Sequence, residues 1–247
     1  MFPNAPIVEA ILDIRAKLPE GINLDTLEAF QNSIKDRFPE KKKQYSFGAE
    51  LKFSPGEPSS LQETLNKPIG YLFKSSAKQK IVQARLNGFT LNKLKPYEEW
   101  EVFCKEGREL WKLYSNMFKP VKVERIALRY INRIEIPLPL KEFEEYILTI
   151  PQIAPKLSTK LSTKVMERFF MQFVVPNIDI EANAIITVTT EKPVDDKLPL
   201  IFDIDAYRDT AYVDTQEKIW DDFENLHKFK NDIFFDSITD KTKELFK

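Results

Sequence analysis

The sequence predicts an α+β protein whose mainly antiparallel sheet is covered on one face by helices. Three observations carry this. Stretches of apolar and polar alternation recur along both halves of the chain, each half closes on a long stripe of apolar and aromatic residues at helical spacing, and Asn87-Gly88 joins two alternating runs as a hairpin would. Alternation with one polar side marks strands buried on a single face, which antiparallel sheets tolerate and all-parallel sheets seldom do.

The first strand runs from Ile7 to Leu18, with Val8, Ala10, Leu12, Ile14, Ala16 and Leu18 on one side and Glu9, Asp13, Arg15 and Lys17 on the other. Leu24, Leu27, Phe30, Ile34 and Phe38 then follow helical spacing, and Pro39 stops that helix. Tyr45, Phe47, Ala49, Leu51 and Phe53 alternate again before a loop that opens at Pro55. Ile69 to Phe73 is a short strand. Val82, Ala84 and Leu86 lead into Asn87-Gly88, with Phe89 and Leu91 beyond it. Pro96 sits near the start of a helix bearing Tyr97, Trp100, Phe103, Leu110, Trp111, Tyr114 and Phe118, which Lys119-Pro120 ends.

The second half runs through a similar order. Ile126, Leu128, Tyr130, Ile134 and Ile136 define a strand face, followed by a short helix with Leu140, Phe143, Tyr146 and Ile147. A loop follows from Pro151 to Lys164, containing Leu157-Ser-Thr-Lys160 repeated as Leu161-Ser-Thr-Lys164. Strands come next at Phe169 to Val175, Ile180 to Thr190 and Leu198 to Ala206. Asp214 and Glu217 form a capping box for a last helix bearing Trp220, Phe223, Leu226, Ile233 and Phe234.

Laying one half on the other so that Leu12 falls on Leu128 also sets Leu18 on Ile134, Leu24 on Leu140, Leu27 on Phe143 and Phe30 on Tyr146. Trp100 then meets Trp220 after a small insertion. The expected architecture is therefore two tandem strand-helix-strands-helix repeats, residues 1–119 and 120–247, forming one continuous domain with a pseudo-twofold relation, as in TBP-like folds or ferredoxin-like pairs. The same overlay sets Glu9 against Arg125, Asp13 against Arg129 and Lys17 against Arg133. If the two first strands pair centrally, cross-strand ion pairs such as Asp13 with Arg129 are expected.

Composition narrows the function classes. The 37 Lys and Arg balance 38 Asp and Glu for a net charge of -1, which disfavours a general polyanion or membrane-surface binder while leaving room for a local patch. Glycine occurs six times in 247 residues, where average usage of roughly 7% gives about seventeen, so glycine-built phosphate loops have little material. Walker, nucleophile-elbow, zincin and dinucleotide motifs do not occur, which points away from the common NTPases, hydrolases and dehydrogenases. With Cys104 alone there is no disulfide framework, and the expected compartment is the cytoplasm. The start lacks a basic n-region, and no uncharged run approaches the roughly 18 residues of a membrane span.

The densest polar constellation is Val123-Glu-Arg-Ile-Ala-Leu-Arg-Tyr-Ile-Asn-Arg133. Alternation puts Arg125, Arg129 and Arg133 on one strand face, about 13 Å apart for each four residues. Two readings stand: a row that meets a polyanion or a phosphate, and a row paired with acidic strand neighbours, which the neutral composition favours. Asp203 and Asp205 share a strand face opposite Phe202 and Ile204 and are the acidic counterpart; a metal reading needs a third ligand such as Glu181 or Glu191. His227, beside Leu226, reads as a core-edge histidine and Cys104 as a small core residue. Tyr71, Phe73 and Phe89 read as core in preference to stacking platforms for bases.

The chain resembles a sporadically distributed prokaryotic protein family of unknown function. The resemblance rests on Asn4-Ala-Pro-Ile-Val-Glu-Ala10, Pro96-Tyr-Glu-Glu-Trp100, Leu128-Arg-Tyr-Ile-Asn-Arg-Ile134, Phe202-Asp-Ile-Asp205 and Lys230-Asn-Asp-Ile-Phe-Phe-Asp-Ser-Ile-Thr239, in order along nearly the whole chain. It implies a soluble prokaryotic protein with Arg129, Asn132, Arg133, Asp203 and Asp205 among its recurring polar positions, and it implies no activity or cofactor.

Together these readings predict a non-enzymatic cytoplasmic binding or interaction protein acting through a polar sheet face, in a defence, toxin-antitoxin or regulatory assembly. Its candidate binding residues are Arg125, Arg129, Asn132, Arg133, Asp203 and Asp205, with no catalytic or metal residue assigned and no cofactor. A protein partner or a second copy fits such a face; a nucleic acid is an alternative that the net charge does not favour, as is metal-assisted chemistry on a phosphate-containing substrate.

Overall fold

The computed structural model describes residues 2–46, 49–52, 60–63, 67–154, 166, 168–212 and 216–247. Its elements are β1 (Ile7–Lys17), α1 (Leu24–Glu28), α2 (Gln31–Ile34), β2 (Glu40–Tyr45), β3 (Ala49–Lys52), β4 (Ser60–Glu63), β5 (Pro68–Lys74), β6 (Lys80–Arg85), β7 (Gly88–Leu94) and α3 (Trp100–Phe118). After these come β8 (Lys122–Pro137), a 3-10 turn (Phe143–Glu145), β9 (Phe170–Asn177), β10 (Ala182–Thr190), β11 (Lys197–Tyr212), α4 (Gln216–Ser237) and α5 (Asp240–Glu244). Phe47, Phe53, the loop from Pro55, the repeated Leu-Ser-Thr-Lys segment and Asp214 lie outside the described residues.

Nine strands form one open antiparallel sheet in the order β2-β5-β6-β7-β1-β8-β11-β10-β9, and β3 pairs with β4 in a separate hairpin. The two strands that begin the two halves, β1 and β8, lie side by side at the centre with Leu12 opposite Leu128. Register carries one apolar face across the whole sheet. Phe73 faces Val82, Val82 faces Leu91, Leu91 faces Leu12, Leu12 faces Leu128, and Leu128 faces Ala206. All six residues of this row are fully buried.

Helices α3 and α4 lie on that face. Gly107 lets α3 approach the central strand, since a Cβ there would stand 2.8 Å from Leu12 Cδ1. Phe30 sits among Phe73, Tyr114 and Phe118 at ring separations near 6 Å. Burial of a side chain of this size contributes about 2 kcal/mol or more. Among the described residues no helix is long and apolar enough to cross a membrane.

Two expectations change in physically instructive ways, and one strand is new. The helix expected through Leu24 to Phe38 is two short pieces. Asn23 caps the first by accepting from the Thr26 backbone N–H at 3.0 Å, and i to i−3 bonds at Phe30, Asn32 and Ser33 tighten the chain so that Phe30 turns into the core. The short helix expected at Leu140 to Ile147 is a single 3-10 turn, because the carbonyl of Tyr146 accepts from Thr239 and Thr242 and the Leu148 N–H donates to Ser237. Long-range partners thus replace the local ones. Strand β2, Glu-Lys-Lys-Lys-Gln-Tyr, has no apolar alternation because it is an edge strand, where charge discourages pairing with another chain.

The β6–β7 hairpin forms as expected, with Leu86 and Asn87 as its turn and Gly88 already in the ladder opposite Arg85. Gly88 has φ +142°, and a Cβ there would lie 2.1 Å from the Ile14 carbonyl oxygen. Gly88→Ala therefore has to push β7 away from β1. We expect it to cost about 3 kcal/mol in denaturant unfolding, against about 1 kcal/mol for Gly21→Ala, where φ is +90° but the surrounding space is empty. Equal costs for the two would show that the backbone contact is unimportant.

Candidate functional site

The second face of the sheet is polar at its centre. Strand pairing brings Thr90 of β7, Asp13 of β1, Ala127 of β8 and Tyr207 of β11 into one row, and Gly88, Arg15, Arg125 and Asp209 into the next. Because Ala127 is small, the longer side chains around it rim a depression of ≈ 210 Å³. Its lining includes Asp13, Arg15, Arg85, Arg125, Arg129 and Asp205, with the amides of Gln83 and Asn92 alongside.

The expected arginine row forms, and each member is held differently. Arg129 makes a two-pronged contact with Asp203, Nε to Oδ1 at 2.8 Å and Nη2 to Oδ2 at 2.5 Å, and that pairing raises its pKa further. Arg133 lies between Glu135 at 2.8 Å and Glu191 at 3.2 Å. Arg125 reaches Asp205 at 3.4 Å, Asp209 at 3.6 Å and Asp13 at 3.9 Å, with its guanidinium 4.4 Å from the Tyr207 ring centre. The cross-strand pairing anticipated for Asp13 with Arg129 is not what the register gives: Ile11 stands opposite Arg129, and Asp13 meets Arg85 at 2.5 Å and the Thr90 hydroxyl at 2.7 Å.

Asn132 does not join this group. It lies on the helix-covered face, buried, and its amide donates to the Phe202 carbonyl at 3.0 Å. Asp203 and Asp205 do share the open face. Burial pushes the Asp205 carboxyl above the usual range against the pull of Arg125 and Arg129, and its Oδ1 is enclosed with no partner among the described residues. Of the acids considered as a third metal ligand, Glu181 pairs with Arg208 and Glu191 with Arg133. Among the described residues no group of three or more His, Cys, Asp or Glu side chains is arranged to hold a metal ion.

Arg85, Thr90, Gln83 and Asn92 are site residues that the sequence reading passed over. Alternation contained the signal, since they intervene between the apolar Val82, Ala84, Phe89 and Leu91.

Beneath β8, on the helix side, lies a second polar group. The Lys230 ammonium is buried 3.7 Å from the centre of the Tyr130 ring and donates to Asn231 Oδ1 at 2.5 Å. The Tyr130 and Tyr97 hydroxyls share a hydrogen bond of 2.5 Å. His227 stacks on Trp100 at 4.5 Å, and burial with Lys230 nearby pushes its pKa down to about 3, so it is a neutral core-edge ring. Half-buried Cys104 has its thiol pushed up to about 12 by burial, which makes it a poor nucleophile.

With that geometry established, comparison supplies no relative: no family model and no curated protein matches the chain.

Two outcomes follow from these contacts. In a double-mutant cycle of Arg129→Ala and Asp203→Ala, the pair should couple by about 1 kcal/mol, because Arg129 is 43% exposed and water screens much of the attraction; strictly additive losses would show no interaction. For Lys230, burial lowers the pKa from 10.5 to about 7. Below about 7 both folded and unfolded chains carry the proton and the fold bears the full penalty; between about 7 and 10.5 only the unfolded chain keeps it, so this residue's contribution to stability rises with pH. The stability difference between wild type and Lys230→Met should therefore narrow or reverse in favour of wild type from pH 7 to pH 9.5. A difference independent of pH would contradict the buried charge.

Proposed function

We propose that the chain is a binding protein whose ligand or partner seats on the open polar face around Arg125, Arg129 and Asp205, working in the cytoplasm as part of a defence, toxin-antitoxin or regulatory assembly. The observation that carries this reading is the depression at the centre of that face, where paired guanidiniums and carboxylates surround the small Ala127. Side chains this costly to desolvate gain little stability from one another, so their concentration over a shallow hollow fits recognition better than folding.

The two halves are read as tandem copies. Outward from the central β1–β8 pair the order is β7, β6, β5 on one side and β11, β10, β9 on the other, so each half pairs its first strand with its last and then adds a long helix. Leu12 and Leu128, equivalent in the overlay of the halves, face each other where a pseudo-twofold axis would pass. Such a relation brings two inequivalent copies of one polar surface into a single continuous face. The family resemblance adds Arg129, Arg133, Asp203 and Asp205 as recurring polar positions on that same face.

A nucleic acid is the weaker reading. Tracking a phosphate backbone needs a series of available cations, and Arg129 and Arg133 are each taken by carboxylates.

The test is affinity purification from cells that express the protein naturally, followed by identification of bound protein, nucleic acid and small molecules. A species retained by wild type and by the helix-face variant Arg108→Gln, yet lost by Asp205→Arg, is the expected result. Equal retention by all three would overturn the reading.

A further inference from the structure

The two edges of the sheet are built differently, and we infer that β9 is an interface at which two copies of this chain join their sheets by antiparallel strand addition about a twofold axis. This goes beyond the open-face reading and does not depend on it. Edge strands ordinarily carry lysines, prolines, bulges or a covering element that keep another chain from pairing with them. Strand β2 follows that rule, with Lys41, Lys42 and Lys43 in succession. Strand β9, Phe-Met-Gln-Phe-Val-Val-Pro-Asn, has eight residues and no charge, its ladder with β10 runs without a bulge, and its one proline is next to last. Among the described residues β10 is its only strand partner.

Ladder parity fixes what the outer side of β9 offers. The Thr190 N–H donates to the Phe169 carbonyl at 3.4 Å, so Phe169 and, by alternation, Met171, Phe173 and Val175 direct their backbone groups to β10. Phe170, Gln172 and Val174 turn theirs outward. Their side chains stand beside Thr189, Thr187 and Ile185, and so continue the open-face rows of Asp203 and Asp205. Phe170 and Val174 are 70% and 55% exposed. The open face, polar at its centre, is thus apolar along this margin, where outward N–H and C=O groups run beside it.

Self-pairing has a register that uses all three outward residues. With Gln172 on the axis, Phe170 of each copy faces Val174 of the other, and every such pair exchanges two backbone hydrogen bonds. On the covered side the same register sets Met171 against Phe173 and Phe169 against Val175, side chains already packed at the margin of the core. Pro176, which has no N–H to donate, falls opposite Arg168, outside those pairs. Aromatic rings meet β-branched side chains and no like charges meet, which is the favourable cross-strand arrangement. The same operation on β2 would set lysine against lysine. Joining β9 to β2 would bring three lysines to an apolar strand in a head-to-tail contact that repeats without closing. A second copy, paired β9 to β9, is therefore the occupant that the strand itself specifies. The axis stands perpendicular to the joined sheet, so the two open faces look the same way.

The experiment is sedimentation velocity of the full chain from about 1 to 100 µM. Wild type is expected to pass from 28.9 kDa to twice that mass. Phe170→Lys should weaken the dimer about tenfold or more, because the interface would have to desolvate an ammonium. Gln172→Pro removes an outward N–H while leaving the backbone bonds to β10 in place, and should weaken it as much. Circular dichroism verifies that both variants keep the fold. In a Cys104→Ser background, Gln172→Cys should form a disulfide-linked dimer under mild oxidation, since opposed Cα atoms in such a pair lie about 5.5 Å apart, and Lys42→Cys on β2 should not. A monomer throughout the range overturns the inference, and so does a dimer undiminished in both Phe170→Lys and Gln172→Pro. Mass that climbs past the dimer with concentration overturns the closed pair. Loss of the dimer in Phe170→Lys with full dimerisation of Gln172→Pro overturns strand addition, leaving an apolar contact alone.

Discussion

The ladder between β1 and β8 has to satisfy opposite demands on its two sides, and the remaining elements are placed by how it does so. On one side Leu12, Ile14, Ile126 and Leu128 are shut off from water. They can be so only because α3 and α4 lie across them, and Gly107 is what brings α3 close enough. On the other side the same two strands carry Arg15, Asp13, Arg125 and Arg129, which no helix could cover without stripping their hydration. The sheet is therefore open on one face by electrostatic necessity, and its width follows from each half adding strands outward from this pair.

The open face is not a uniform solvated surface. Its arginines are held in different ways: Arg129 has both oxygens of Asp203, Arg133 sits between two glutamates, Arg125 divides itself among three acids at 3.4 to 3.9 Å, and Arg15 shares Asp13 at 3.9 Å. Arg125 and Arg85 are among its least exposed charges, at 12% and 16%, so the ion pairs they make are partly desolvated. The carboxylate nearest Arg125, Asp205 at 3.4 Å, is pushed above the usual range by burial. Attraction and desolvation oppose each other there, so these pairs hold one another in place without adding much stability.

The strands were legible wherever one side is apolar, because period two survives any tertiary arrangement; β1, β8 and the β6–β7 hairpin fall where alternation puts them. What escaped was decided by partners distant in sequence. Strand β2 is all polar because it borders water, and Tyr146 gives its carbonyl to Thr242 instead of to a helix of its own. At the site, alternation correctly grouped Arg125, Arg129 and Arg133 with one another and Asp203 with Asp205, but which acid meets which arginine depends on register between strands, and register is not written in either strand alone. Asn132 shows the reverse case: its parity with Tyr130 and Ile134 already placed it on the covered face, and only its membership of a motif suggested otherwise.

Lys230 illustrates why a neutral total says little about local charge. It stands four residues from both Leu226 and Phe234, squarely on the apolar stripe of α4, where its ammonium meets the Tyr130 ring and the Asn231 side-chain oxygen. Tyr130 and Arg129 are adjacent in β8, so one strand separates an unpaired cation under the helices from a paired one in the open. Near equality of 37 basic and 38 acidic residues coexists with a buried cation that meets an aromatic ring instead of an acid. On the open face, by contrast, Arg125 and Arg129 each have a carboxylate within 3.5 Å, so acids stand beside the cations that water can reach, and the cation left to an aromatic ring is the one the helices cover.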